Sequence, residues 1–259
     1  LVLARPQTTN KWQNSEIEGI DIMLAIDVST SMLAEDLKPN RLEAAKDVAA
    51  EFINGRPNDN IGITLFAGET FTQCPLTVDH AVLLDMIHNI KCGLITDGTA
   101  VGMGIANAVT RLKDSKAKSK VIILLTDGTN NKGDISPMTA AEIAKSFGIR
   151  VYTIGVGTNG MAPYPYPVGN TVQYVSMPVE IDEKTLTEIA GTTDGNYFRA
   201  TSNSKLKEVY EEIDKLEKTK LNVKEYSKRD EEYHWFALGA FLCVLLEVLL
   251  RNSILKKIP

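Results

Sequence analysis

The chain has 259 residues, 44% of them apolar and 24% charged, with a formal net charge of −5, a balance that suits an ordinary folded protein with a sizeable core. Lysine and arginine are scattered, with no basic stripe interleaved with aromatics, which sets nucleic acid aside as a partner. Cys74, Cys92 and Cys243 have no paired metal-ligand spacing and only three histidines accompany them, which argues against a zinc site or disulfide framework and leaves Cys74 and Cys92 as either one disulfide or two free thiols.

In chain order, the opening "LVLARPQ" is too short to read by itself, and the absence of an initial Met marks a processed chain or a fragment. "GIDIMLAID" (19–27) is a continuous apolar run of the kind parallel strands show when both faces are covered. "RLEAAKDVAAEFING" (41–55) has helical spacing, with Pro39 near its start and Gly55 past its end. "NIGITLFAG" and "TFTQCPLT" predict two strands joined by a tight Gly-Glu turn, the second antiparallel at a sheet edge. Two helices follow, "VDHAVLLDMIHNI" and "GTAVGMGIANAVTRL", then the strand "KVIILLTDG" (120–128). "TAAEIAKSFG" predicts a helix with a Gly C-cap, "IRVYTIGVG" a buried strand, "DEKTLTEIAGTT" a helix, "GNYFRAT" a strand and "SKLKEVYEEIDKLEKT" an amphipathic helix. The alternation predicts a doubly wound α/β domain with a mostly parallel sheet and one antiparallel edge strand.

Ligands of such sheets bind beyond the carboxyl ends of the strands, where the winding reverses. Asp27 and Asp127 each end an apolar strand. Ser29 and Ser31 follow Asp27 at alternate positions, which lets the three side chains converge, and Thr99 sits in a third loop on the same rim. Two carboxylates and three hydroxyls suit a hard cation, Mg²⁺ first, with Mn²⁺ or Ca²⁺ as substitutes. Taken singly, Ser29 or Ser31 reads as a helix cap and "TDG" as a turn. Only the conjunction of three loops raises the metal reading above that.

Other motifs fail in context. "GVGTNG" (155–160) matches a dinucleotide fingerprint but runs into "MAPYPYP", which cannot open a helix. "DGTNNKGD" lacks the acidic twelfth residue of a calcium loop, Met138 standing there. No nucleophile elbow is present, and His80 and His88 belong to a flanking helix, so Ser29 has no evident base. The segment "MAPYPYPVGNTVQYV" reads either as a hairpin packing its own tyrosines over the rim or as a docking surface.

"DVSTS" (27–31), "DGTAVG" (97–102) and "LLTDG" (124–128) resemble the three loops of the metal-ion-dependent adhesion site of von Willebrand factor A domains. The resemblance covers residues 19–219 and implies Mg²⁺ held by Asp27, Ser29, Ser31, Thr99 and Asp127, with an Asp or Glu of a protein partner completing the coordination. "FAGETFTQCPLT", "YVSMPVEIDEKTL", "NYFRATS" and the C-terminal segment narrow it, resembling the BatA proteins of the Bacteroides aerotolerance group. That likeness implies a bacterial inner-membrane protein with its domain on the periplasmic side. It also implies that "LVLARPQ" ends an upstream span, and that the partners include a second von Willebrand factor A-type membrane protein and a MoxR-type AAA+ ATPase.

"WFALGAFLCVLLEVLL" (235–250), with Tyr233, His234 and Trp235 at its front edge and Arg251, Lys256 and Lys257 behind, predicts a membrane span over 233–255 with a cytoplasmic C-terminus, the alternative being a buried or interfacial helix. The expected layout is therefore a membrane-proximal segment (1–18), the domain (19–219), a linker (220–232), the transmembrane helix (233–255) and a cytoplasmic tail (256–259). The function expected is an Mg²⁺-dependent protein-interaction module, not an enzyme. A metal-assisted hydrolase using the same crevice and a scaffold with a structural metal are the alternatives.

Overall fold

The computed structural model describes residues 7–8, 19–128, 130–168, 171–179, 181–222, 230–231 and 233–253. They fall into two compact units, one of Ile17–Asn222 and one joining Leu1–Glu16 with Val223–Pro259.

In the first unit a six-stranded sheet is built from β1 (Asp21–Asp27), β2 (Asn60–Phe66), β3 (Thr70–Thr77), β4 (Lys120–Thr126), β5 (Ile149–Val156) and, after a separate hairpin, β8 (Tyr197–Ala200). Its order is β3-β2-β1-β4-β5-β8, with only the β2–β3 pair antiparallel. All seven residues of β1 are buried, which is why its sequence is a run and not an alternation. Ile22, Leu24 and Ile26 of β1 pack on one face with α1 (Arg41–Asn54), α2 (His80–His88) and α6 (Asn203–Asn222). Met23 and Ala25 face α3 (Val101–Leu112), α4 (Pro137–Ser146) and α5 (Glu183–Thr192) on the other. The mostly parallel α/β fold with its antiparallel edge is thus present as the sequence predicts.

The chain leaves β1 for β2 on one side and later returns to β4 on the other, so the winding reverses between β1 and β4. Their carboxyl ends lie level, Ile26 pairing with Leu125. Asp27 and Asp127 therefore flank the crevice where such folds bind ligands.

The segment after β5 forms a two-stranded antiparallel hairpin of β6 (Gly160–Val168) and β7 (Thr171–Val179). Pro163 pairs with Ser176, Pro165 with Tyr174, and Pro178 with Met161. The Pro163 carbonyl accepts the Glu35 amide at 2.9 Å, anchoring the hairpin to the loop after β1. Tyr166 and Tyr174 are well exposed, so these tyrosines do not pack over the rim. The cysteines are free thiols, not a disulfide.

In the second unit Gln7–Thr8 pairs with Asp230–Glu231, and α7 spans Tyr233–Ser253. The apolar side chains described along α7, from Leu238 to Leu250, are exposed. Among the described residues no helix is long and apolar enough to cross a membrane. The described part of α7 thus falls short of the span expected over 233–255. The described apolar stretch, 237–250, covers about 21 Å of helix at ~1.5 Å per residue, against the ~30 Å of a bilayer core. Residues 254–259, with the basic pair Lys256 and Lys257, lie outside the described residues, as do most of the segments expected at 1–18 and 220–232.

Candidate metal centre

Three loops deliver the five residues singled out by sequence to one rim. Asp27, the last residue of β1, is fully buried, with Ser29, Thr99 and Asp127 nearly so. The Asp27 carboxylate accepts the Ser29 amide at 2.9 Å and the Thr126 hydroxyl at 2.6 Å. Ser29 Oγ and Ser31 Oγ are 2.9 Å apart, and Ser31 Oγ donates to Asp127 Oδ1 at 2.7 Å. A Cβ on Gly128 would come within 3.2 Å of Thr99 Oγ1, so the Thr99 hydroxyl lies against the Asp127–Gly128 turn and glycine leaves it room.

The capping pattern separates these hydroxyls from ordinary helix starts. α1, α2, α4 and α5 begin with Asn40, Asp79, Ser136 and Asp182, each accepting a backbone N–H of the first turn, as helix N-termini require. The 3₁₀ turn Thr30–Leu33, which follows Ser29, and α3, which follows Thr99 and Ala100, have no side-chain cap bond. Ser29 is therefore not a cap. Neither of the two histidines of α2 stands beside it as a base: His80 Nε2 lies 3.0 Å from the Asp59 carbonyl, just before β2 at the far end of the sheet, and His88 Nδ1 lies 2.6 Å from the Leu84 carbonyl.

One member of the site is not legible from the motifs. Arg41, the first residue of α1, is fully buried. It donates from Nη1 to Asp127 Oδ2 at 2.6 Å, and from Nε and Nη2 to the two oxygens of Asp36 at 2.7 and 2.6 Å. Asp36 in turn accepts the Thr158 amide at 2.7 Å. Gly157, with φ of +124°, makes this possible, because a Cβ there would sit 2.5 Å from the guanidinium carbon. The only signal in the sequence is that glycine, within the stretch that imitates a dinucleotide fingerprint. The conformation is one that side-chain-bearing residues avoid.

The electrostatics divide accordingly. Burial, and then the charge of Asp127, push the Asp27 carboxyl up to about 7. Asp127 is also raised, by burial, against the opposing pull of Arg41. Asp36 falls to about 2 despite its burial, because Arg41 and Thr158 hydrogen-bond its charged form. Among the described residues Asp27 has no cationic partner, although a buried charge is costly unless paired. No cluster of three or more His, Cys, Asp or Glu side chains there could hold an ion. A cation at this rim would rest on two carboxylates with hydroxyls, a donor set that fits a hard divalent ion.

The von Willebrand factor type A domain matches residues 21–212. The chain belongs to that family. Among solved structures it is similar to BatB from Bacteroides thetaiotaomicron, at 35% identity and a TM-score of 0.69, over 77% of this chain and 100% of that one. An aerotolerance-related membrane protein from Bacteroides fragilis is 34% identical with a TM-score of 0.66, over 76% and 100% of the two chains. The mussel byssus proximal thread matrix protein 1, whose metal-ion-dependent adhesion site holds zinc in one structure, is 25% identical with a TM-score of 0.61, over 76% and 45%. The family places the chain among interaction modules, related to the aerotolerance proteins of Bacteroides.

Proposed function

We propose that this protein is a membrane-attached interaction module in which Asp27, Ser29, Ser31, Thr99 and Asp127 hold Mg²⁺, and the ion recruits a carboxylate of a protein partner. The observation that carries the reading is Asp27, a buried carboxylate with no counter-cation among the described residues, set beside a second buried carboxylate. A divalent ion would supply the missing positive charge and a position open to an acidic ligand. This chain's own residues fix the oxygens beforehand. Thr126 and the Ser29 amide orient Asp27, and Arg41 holds Asp127 through Oδ2 while Oδ1 accepts from Ser31.

Calorimetric titration of the full chain in detergent with MgCl₂ tests the site. Binding at sub-millimolar to millimolar ion is expected, and no heat, or heat unaffected by Asp27→Ala, would refute it. Mn²⁺ and Ca²⁺ are the competitors to compare.

The membrane part rests on the exposed apolar surface of α7 and on similarity to a protein described as a membrane protein. The proposed layout is a domain over 19–219, a linker over 220–232, a membrane helix over 233–255 and a cytoplasmic tail, with the domain on the periplasmic side of the inner membrane. A reporter fused after Pro259 should then read cytoplasmic; a periplasmic reading reverses the orientation. By the same kinship the partners are a second von Willebrand factor A-type membrane protein and a MoxR-type AAA+ ATPase, testable by a chelator-sensitive pull-down from native membranes. No observation at the rim favours a hydrolase.

A further inference from the structure

Beside the metal centre lies a cleft of about 260 Å³ whose lining includes only Ser31 of the five-residue site. Thr30, Ser31 and Ala34 form its floor, while Tyr164, Tyr166 and Met177 of the hairpin form its wall. Ser31 belongs to both, since its hydroxyl is 2.7 Å from Asp127 Oδ1.

The wall follows from the hairpin's pairing. Ala162 opposes Met177 and Tyr164 opposes Val175, and directly opposed residues of an antiparallel pair share a face. Alternation along β6 then adds Tyr166 to that face. Across residues 160–179 there is no Asp, Glu, Lys, Arg or His, so the wall offers nothing to pair with a charge. Yet it is not packed away: Tyr166 is 57% exposed and Met177 44%. The Glu35 amide bond to Pro163 ties this wall to the loop that carries Ser29 and Ser31, so the two surfaces present themselves together.

The uncharged lining, together with the size, narrows the occupant. Small-molecule sites usually enclose ~300–1,000 Å³. A cleft below that range, open at a rim where a carboxylate is to be bound, fits one apolar side chain of a protein. A charged side chain there would lose hydration without gaining a partner, whereas an apolar one gains by leaving water.

Resting on the metal reading above, we propose that the hairpin and the rim form one composite docking surface for a protein segment in which an Asp or Glu at the metal is flanked by an apolar side chain in the cleft.

Three blocked synthetic peptides centred on Phe-Asp-Phe, Ser-Asp-Ser and Phe-Asn-Phe test this, titrated into the full chain in detergent with MgCl₂ or with EDTA. The Phe-Asp-Phe peptide should bind about ten-fold tighter than Ser-Asp-Ser in Mg²⁺, and EDTA should abolish both. The double variant Tyr166→Ser, Met177→Ser should erase that preference while leaving Mg²⁺ affinity and Ser-Asp-Ser binding unchanged. Equal affinity for the two acidic peptides, a preference that survives the double variant, or tight binding of Phe-Asn-Phe overturns the composite surface and leaves the metal reading standing. No binding of Phe-Asp-Phe at millimolar concentration also overturns it. Ser-Asp-Ser binding that is indifferent to EDTA overturns both.

Discussion

The two ends of the central sheet bury charge in opposite ways. At the amino ends of β4 and β5, Glu217 is almost completely buried, and its carboxylate accepts from Arg150 at 2.9 and 2.5 Å, from Ser119 at 2.7 Å and from Tyr152 at 2.6 Å. Burial pushes this carboxyl up, but those hydrogen bonds outweigh it and hold it below its usual value. At the carboxyl ends, Asp36 and Asp127 take all of the guanidinium of Arg41, Asp27 has no cationic partner among the described residues, and both Asp27 and Asp127 are raised. One end is closed and self-neutralised; the other is left short of positive charge. Low dielectric makes a satisfied network stabilising and an unsatisfied one costly, so the second end is tolerable when something else supplies the cation.

The sharpest way to break this contrast is at the closed end. Glu217→Ala leaves Arg150 half-buried without its carboxylate, and a loss of about 3 kcal/mol is expected in chemical denaturation, with Mg²⁺ affinity unchanged. At the open end Asp27→Ala should do the reverse, weakening Mg²⁺ binding by about 100-fold with little loss of stability in the metal-free protein. Arg41→Lys keeps the charge but cannot bridge Asp127 and both oxygens of Asp36. About ten-fold weaker Mg²⁺ binding by calorimetry is expected.

The pH dependence carries a sign. Asp27 titrates near 7 in the fold against 3.8 ordinarily, so between those values the folded state holds more protons than the unfolded one. Stability of the metal-free protein should therefore fall as pH rises from about 4 to 7, and Asp27→Asn should flatten that part of the curve in thermal melts. The smallest effect belongs to a helix cap. Asn40→Ala removes the α1 cap, whose side chain accepts the Glu43 amide at 2.8 Å, and should cost about 1 kcal/mol.

The five rim residues were legible because a carboxylate at the end of an apolar run is a local pattern, repeated at β1 and β4, and because three loops carried it in a recognisable order. Arg41 was not. It stands at a helix start, where a charged residue ordinarily faces water, and only the tertiary approach of Gly157 turns it inward. The hairpin was one of the two readings of its segment, in spite of prolines that argue against a strand when read one at a time, but the exposure of Tyr166 and Tyr174 was not legible there. The apolar C-terminal segment was legible as a helix, but its relation to a bilayer depends on residues beyond the described stretch.

Those prolines have a consequence of their own. In an antiparallel ladder alternate pairs turn their N–H and C=O groups outward, and the Pro163 carbonyl, bonded to Glu35, shows that its pair belongs to that class. Pro165 and Pro178 occupy pairs of the same class. No ladder bond is lost, and the outer edge of β6 lacks donors at 163 and 165. An uncharged, exposed ribbon is otherwise a template on which copies of a chain polymerise. Here the ribbon can keep its apolar face open to water while the outer edge of β6 offers a further strand two donors fewer, which weakens stickiness toward itself without touching stickiness toward a chosen side chain.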